Sequence, residues 1–310
     1  MIKTSIAFII VTYNSEAQLS LCLDSLLQTK GDYALSIVAI DNFSQDGTLN
    51  LLKQKYAGLP KFYLIENKKN TGFAAAVNQG IEYAKNKHNP DYYFLLNPDA
   101  TIAPDCLEKM VGEVQKSPRL GLASPLITNP VDGSIWFAGG KINWLKFKTE
   151  HISLPSLQTT SYKLQSTNYL SGCALLIKKE LLEKIGPPTG GFDERFFLYY
   201  EDADFSLRTK RNGFQLAIVP EARCFHNESQ SSTSDTKNYH LVKSGLLFFH
   251  KHYPWYFKWY FWMVFCLRIF CHKYISTKDI VLKAMREFFS PPTFRNSASS
   301  RGKPDTGKGR

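Results

Sequence analysis

Apolar residues follow two rhythms along the first 120 positions. SIAFIIVTY (5–13), SIVAIDN (36–42), FYLIEN (62–67) and YYFLLN (92–97) are short, nearly unbroken apolar runs. They are too short for helices and rich in β-branched and aromatic residues, so they predict strands buried on both faces. The stretches between them carry helical spacing. Leu19, Cys22, Leu23, Leu26 and Leu27 recur on one face after Asn14-Ser15, a pair able to cap a helix. SQDGTLNLLKQKY (44–56), TGFAAAVNQGIEYAKNK (71–87) and APDCLEKMVGEVQKS (103–117) predict three more helices. Four alternations of strand and helix with short links predict an α/β fold: a mostly parallel, doubly wound sheet with helices on both faces.

The rhythm changes after Arg119. LGLASPLIT (120–128) predicts a strand, and DGSIWFAGGKINWL (132–145), punctuated by Gly and aromatics, predicts a hairpin. Residues 146–165 are polar and irregular. NYLSGCALLIKK (168–179) returns to apolar strand before a short helix, KELLEKIG. EDADFSLRTKRNG (201–213) predicts a helix closed by Gly213. FQLAIVPEARCFH (214–226) predicts a last strand pair, and the Ser/Gly/Lys-rich sequence from Asn296 on predicts disorder. No internal repeat is present.

The 310 residues are 44% hydrophobic and 21% charged, ordinary values for a globular protein of one large or two small domains. The net charge of +11 is unevenly placed, because seven Lys/Arg and no Asp or Glu lie between Lys237 and Lys278. The six cysteines show no CxxC or metal-finger spacing; Cys22 and Cys106 fall in expected helices and read as buried thiols of a reduced compartment. The N-terminal apolar run is short and lacks a small-residue cleavage site, so it reads as a strand and not a signal peptide. No charge-free run of about 18 apolar residues marks a spanning helix.

Three polar groups stand at carboxyl ends of the expected strands: Thr12-Tyr13-Asn14, Asp41-Asn42 and Asn97-Pro98-Asp99. In a doubly wound sheet these ends lie side by side and bind ligands. Each has a plainer reading. Asp41 can cap a helix, and Asn97-Pro98-Asp99 can be only a turn, since proline ends the strand ladder and all three are turn formers. The helix after Asp41 starts near Ser44 or Asp46, however, which leaves Asp41 able to accept hydrogen bonds from a nucleotide base. No GxGxxG or GxxxxGK[ST] occurs, which disfavours dinucleotide dehydrogenases and P-loop ATPases. A diphosphate could still be held by a metal, and Asp99 is the hard oxygen ligand that Mg²⁺ or Mn²⁺ prefers. GGFDERFFLYYEDADFSLR (190–208) sets Asp193, Glu194, Glu201, Asp202 and Asp204 among aromatics. These acids can simply favour a helix N-terminus. The aromatic run before Glu201-Asp202 can also desolvate a carboxylate and raise its pKa toward that of a useful base. His226 alone reads as a structural histidine.

Taken together, VTYN, IDNFSQDGT, NTGFAAAVNQG, FLLNPDA, SGCALLIKK, GGFDERFFLYYEDADFSLR and CFHNES resemble a family 2 glycosyltransferase of the GT-A fold, and within it bacterial rhamnosyltransferases of polysaccharide assembly, over about residues 4–250. The resemblance implies a nucleotide-binding sheet of GT-A type with a C-terminal acceptor- or membrane-associated helical extension. It implies that Thr12, Tyr13, Asn14 and Asp41 bind the nucleoside of a nucleotide sugar, and that Asn70, Gly72, Asn78 and Asn97 line the sugar diphosphate. Asn97-Pro98-Asp99 stands where the family commonly has an Asp-x-Asp metal motif. The first carboxylate is an amide here, so Asp99 would hold the Mg²⁺ or Mn²⁺ with His226. Asp202 matches the catalytic base, with Glu201 beside it. The implied reaction is an inverting transfer from a nucleoside diphosphate sugar, dTDP-L-rhamnose ahead of a UDP-sugar, to a glycan or lipid-linked acceptor in bacterial cell-surface polysaccharide synthesis. A sugar nucleotidyltransferase would need a Gly-rich loop with an Arg after the first strand, absent from VTYNSEAQ. A non-catalytic carbohydrate- or membrane-binding protein would not need Asp99, Asp202 and His226 together. Trp136 has no secure counterpart.

Residues 239–274 contain 14 aromatic residues and no acid. Nucleic-acid binding, a spanning helix and an ordinary buried helix are competing readings. The favoured expectation is a helix in the membrane interface, with aromatics at headgroup depth and Lys/Arg facing anionic lipid. The expected organisation is therefore a glycosyltransferase domain over 1–238, a basic aromatic membrane-associating extension over 239–290 and a disordered tail over 291–310. The expected location is cytoplasmic, peripheral at the inner face of the membrane, with no nucleic-acid partner. Nothing in the pattern speaks to oligomeric state.

Overall fold

The computed structural model describes residues 3–152, 164–185, 191–227, 234–270 and 278–289. The expected tail 291–310 lies outside these. Strand β1 (Ser5–Thr12) is followed by α1 (Glu16–Leu27), β2 (Ala34–Asp41) and α2 (Thr48–Leu51), which runs on through a π-helical turn, Leu52–Tyr56. Then come β3 (Phe62–Glu66), α3 (Phe73–His88), β4 (Tyr92–Leu96), β5 (Ala100–Ile102) and α4 (Cys106–Lys116). β1, β2 and β4 bury nearly every side chain, as strands sandwiched between helices must. β1 pairs in parallel with both β2 and β4, and β2 with β3. The alternation read from the sequence is therefore present.

The second half is mixed. Its elements are β6 (Leu120–Thr128), β7 (Ile135–Phe137), β8 (Gly140–Asn143), β9 (Lys148–His151), β10 (Gln165–Ser166), β11 (Ala174–Lys178), α5 (Lys179–Ile185), α6 (Glu201–Arg211) and β12 (Gln215–His226). The sheet order is β10-β12-β6-β11-β4-β1-β2-β3, with β5 on β12 and β7 on β6. β11 inserts antiparallel between β4 and β6. Residues 132–145 are not a hairpin: β7 pairs with β6 in the main sheet, whereas β8 pairs with β9 in a separate two-stranded ribbon. Gly139, at φ +117, allows the chain to leave one sheet for the other. The expected strand pair at 214–226 is one strand, β12, irregular between Val219 and Arg223 where Pro220 cannot donate to the ladder.

Three helices close the described chain: α7 (Ser234–His252), α8 (Lys258–Phe270), reached through a short 3₁₀ turn (Trp255–Phe257), and α9 (Lys278–Phe289). The aromatic segment is thus broken at Tyr253-Pro254 rather than being one helix. α7 packs inward, burying Leu246, Phe248 and Phe249. Trp144 stacks on Phe248, and Phe147 meets Phe249 and Phe261 edge-on. Among the described residues no helix is long and apolar enough to cross a membrane.

Candidate active site

Parallel register brings the first two strand ends together. Thr12 lies opposite Asp41, and its hydroxyl donates to Asp41 Oδ1 at 3.1 Å. Asp41 is less free than its sequence context suggests. It is 2% exposed, and Ser44 N–H donates to its Oδ2 at 3.1 Å. It therefore organises the turn after β2 and meets a ligand only with its remaining lone pairs. Asn14, at φ +51, does not cap α1; its Oδ1 accepts Gln45 N–H at 2.8 Å. Ser15 makes no capping bond either, and Asp46 Oδ2 takes Glu16 N–H at 3.2 Å. These contacts knit the β1–α1 and β2–α2 loops into one rim, from which Tyr13 and Phe43 project, 39% and 45% exposed.

A second rim is built by amides. Buried Asn42 donates to Asn70 Oδ1 at 3.0 Å and accepts from Thr71 N–H at 3.0 Å. Asn70 Oδ1 also accepts Gly72 N–H at 2.9 Å. Gly72 has φ +86, and a Cβ there would stand 2.6 Å from Phe197 O, which accepts Phe73 N–H at 2.7 Å. Only glycine fits this approach of α3 to the 191–200 segment. Asn78 completes it, donating to Phe192 O at 2.8 Å and accepting Phe192 N–H at 2.8 Å. Asn70 and Asn78 therefore hold loops with the groups expected to meet the diphosphate. Asn42, read only as Asp41's neighbour, is the residue that sequence reasoning missed; its signal was a buried amide at a strand end.

Asn97-Pro98-Asp99 is a turn, closed by Ala100 N–H donating to Asn97 O at 3.1 Å. It is also more than a turn. β5 pairs antiparallel with β12, with Ala100 opposite His226, so topology sets Asp99 beside the histidine. His226 Nε2 lies 3.2 Å from Asp99 Oδ1, the two side chains 5% and 15% exposed. Adjacent donors on one small cation with bonds of about 2.1 Å stand ~3 Å apart, so the pair fits two neighbouring ligands of a divalent ion. A carboxylate with an imidazole suits Mn²⁺ at least as well as Mg²⁺. Among the described residues no third His, Cys, Asp or Glu joins them, so further ligands would come from substrate oxygens and water. Trp136 packs at a tilt against the imidazole, ring centres 4.4 Å apart, and lies 4.9 Å from the His151 ring.

The Ser171–Cys173 turn ties this turn to the acidic helix. Asn97 N–H donates to Cys173 O at 2.8 Å, and Gly172 N–H donates to Asp202 Oδ2 at 3.2 Å. Asp202 Oδ1 takes Ala203 N–H at 2.7 Å, so the carboxylate does help cap α6. Burial nevertheless prevails over these amide hydrogen bonds and raises its pKa to about 6. Glu201, 6% exposed, is pushed well above its ordinary carboxyl value by burial and then by the charge of Asp202. Asp204, two residues on, goes the other way. Burial would raise it, but His252, Arg208 and Lys251 outweigh that and hold it low.

The profile of Glycosyl transferase family 2 matches residues 7–186, more than half of the chain. The chain belongs to this family. This glycosyltransferase is 30% identical to the N-acetylglucosaminyl-diphospho-decaprenol L-rhamnosyltransferase of Mycobacterium tuberculosis, the match covering 79% of this chain and 84% of that one. It is 26% identical to the dTDP-rhamnosyl transferase RfbF of Shigella flexneri, over 81% and 82% of the two chains. Among solved structures it superposes on GalNAc-T7 with UDP, GalNAc and Mn²⁺ (TM-score 0.62, 18% identity, 79% of this chain and 47% of that one). It also superposes on the Pyrobaculum calidifontis mannosyltransferase PcManGT with GDP-Man and Mn²⁺ (TM-score 0.58, 20% identity, 81% and 64%). The fold of the glycosyltransferase is therefore GT-A. Glu201, Asp202 and His226 all lie beyond the residues matched by the family profile.

Proposed function

We propose that this glycosyltransferase transfers L-rhamnose from dTDP-L-rhamnose, with a UDP-sugar as the second choice of donor, to a lipid-linked glycan acceptor in bacterial cell-surface polysaccharide synthesis, inverting the anomeric centre. The observation that carries the reading is the convergence of the Asn97–Asp99 turn and Asp202 on the Ser171–Cys173 turn. Donor choice rests on similarity to the two rhamnosyltransferases.

The residues divide the work. Thr12, Tyr13, Asn14 and Asp41 form the nucleoside rim. Asn97, Asn70, Gly72 and Asn78 shape the diphosphate side, Asn70 and Asn78 through the loops they hold. Asp99 and His226 would hold Mn²⁺ or Mg²⁺, which when bound neutralises charge developing on the leaving diphosphate. The Asp202 carboxylate accepts the proton of an acceptor hydroxyl as that oxygen bonds the anomeric carbon. The bond from that carbon to the diphosphate oxygen breaks on the opposite face, and nucleoside diphosphate departs with the electron pair. One displacement inverts configuration and needs no enzyme nucleophile.

In this reading the protein is cytoplasmic and peripheral, working at the inner face of the cell membrane on a lipid-linked acceptor. Support comes from the α7–α8 turn, where Trp255, Tyr256, Phe257 and Trp259 are 81%, 56%, 48% and 62% exposed. Such aromatics suit headgroup depth, with Lys258 among them facing anionic lipid. Two of the segment's cations do not serve there, since Lys243 pairs with Glu287, and Lys251 with Asp193 and Asp204. The test is transfer by purified protein from a panel of dTDP- and UDP-sugars, with Mn²⁺, to polyprenyl-diphosphate-linked N-acetylglucosamine. Rhamnosylated lipid with inverted configuration is expected. Transfer from none of the donors would refute the reading.

A further inference from the structure

The segment that delivers the candidate base to its place is held from outside the domain's sheet. Tyr199 and Tyr200, immediately before Glu201-Asp202, both have left-handed backbones, φ +66 and +67. Side chains with a Cβ disfavour this region, and two in succession persist only where surroundings impose them. The surroundings are one face of α7. His240 stacks on Phe197, ring centres 4.8 Å apart and planes 16° from parallel. The Ser244 hydroxyl donates to Leu198 O at 2.7 Å. Phe248 lies against the Tyr200 ring at 5.3 Å, and Gly245 leaves that ring room, since a Cβ there would stand 3.3 Å from it. Lys251 donates to Asp193 at 2.7 Å and to Asp204 at 2.5 Å, and His252 Nε2 lies 2.6 Å from Asp204. Arg211 can only donate to His252 Nδ1, 2.9 Å away, so Nε2 carries the proton that Asp204 accepts. Positions 240, 244, 248 and 251–252 form one helical stripe, and apart from the Arg211–His252 bond these contacts fall on residues 193–204.

We infer that α7 is a positioning element of the active site, in which Ser244, Lys251 and His252, acting through Leu198 and Asp204, hold the Tyr199–Tyr200 turn and so fix where Asp202 stands. The inference rests on Asp202 being the base of the proposed transfer. Without these contacts the turn relaxes toward ordinary backbone angles, α6 starts elsewhere, and Asp202 loses Gly172. The nucleoside rim is built by the loops after β1 and β2 and is untouched, whereas the diphosphate side, where Gly72 and Asn78 meet Phe197 and Phe192, moves with the segment.

The test uses the full chain with Ser244→Ala, Lys251→Met, His252→Ala and His252→Gln. A small displacement of a catalytic group can cost ~10²-fold in rate, so kcat is expected to fall about 10- to 100-fold in the first three, while calorimetry shows affinity for the free nucleoside unchanged. The glutamine amide reaches Asp204 as Nε2 does, so His252→Gln is expected to recover most of the loss. Amide hydrogen exchange at 199–204 is expected to quicken in the first three variants while exchange in β1 and β4 stays at the wild-type rate. Unchanged exchange at 199–204, or a loss of kcat no different between His252→Ala and His252→Gln, would overturn the inference. Exchange needs no turnover, so it decides this point even if the wild type transfers none of the sugars offered, a result that would instead overturn the proposed reaction.

Discussion

Replacing Asp202 by Asn separates its two tasks. Asn keeps the shape and one acceptor oxygen, which can still take Ala203 N–H, 2.7 Å away in the wild type. The other position becomes an amide that meets Gly172 N–H donor to donor, in place of the present 3.2 Å hydrogen bond. That loss costs about 1 kcal/mol, partly offset because a buried charge beside Glu201 is removed. The thermal midpoint should therefore move by no more than about 2–4 °C. Turnover should fall much further, by ~10²–10⁴-fold, because in the proposed transfer Asp202 takes the acceptor proton. That is about 3–5 kcal/mol in the barrier, several times the effect on stability. The wild type adds a second signature. With Asp202 raised to about 6 by burial, the base form makes up about one-tenth at pH 5 and about nine-tenths at pH 7, so kcat should climb across that interval and level off. Calorimetry with nucleoside diphosphate should show donor binding unchanged in the Asn variant. Near wild-type turnover in that variant, or a flat profile from about pH 5 to about pH 8, would show that Asp202 only caps α6.

Asp99→Ala should abolish the dependence of nucleoside diphosphate binding on Mn²⁺ and His226→Ala should weaken it; equal metal dependence in wild type and Asp99→Ala, by calorimetry, would remove both from the metal site. Asp193 and Asp204 are held low because cationic and His252 hydrogen bonds outweigh burial. They contribute stability above the unfolded carboxylate range that is lost as pH falls through their folded values. Asp193→Asn should accordingly flatten the acid limb of a denaturant-stability curve against pH, and an acid limb as steep as the wild type's would contradict that. Trp255→Ser with Trp259→Ser should reduce sedimentation with anionic vesicles by at least tenfold without lowering the thermal midpoint, since both side chains are largely exposed; undiminished sedimentation would place the lipid contact elsewhere.

Period and run length made the first four strands and their helices legible, because burial on both faces leaves unbroken apolar runs. Parallel alternation in turn predicts that strand ends gather, and Thr12 does stand against Asp41. The same local cues failed where partners are remote. Nothing in ALLIK says that β11 runs antiparallel between β4 and β6, and Gly139, an ordinary turn residue in the sequence, is where one expected hairpin divides between two sheets. The polar residues were harder still. In the sequence Asn14 stands at a strand end, and Asn70 and Asn78 are pointed to by the family resemblance alone. Their amides are engaged with other loops, and an amide that holds a loop has the same sequence signature as one that holds a ligand.

The aromatic extension shows why composition alone misassigns charge. Seven cations without a single acid between Lys237 and Lys278 suggest a face turned to anionic lipid. A lysine's destination is set by the acids it reaches in three dimensions, however, and Lys251 finds Asp193 and Asp204, 58 and 47 positions away. Asp204 is fully buried, so the ion pair it forms is costly to break from either side. Breaking it would leave a charge stranded beside the helix that carries Asp202. The exposed aromatic turn begins three residues after His252, at the end of the same helix. The part of the extension proposed to meet lipid and the part that holds the segment before Asp202 are therefore separable by substitution, although composition presents them as one stretch.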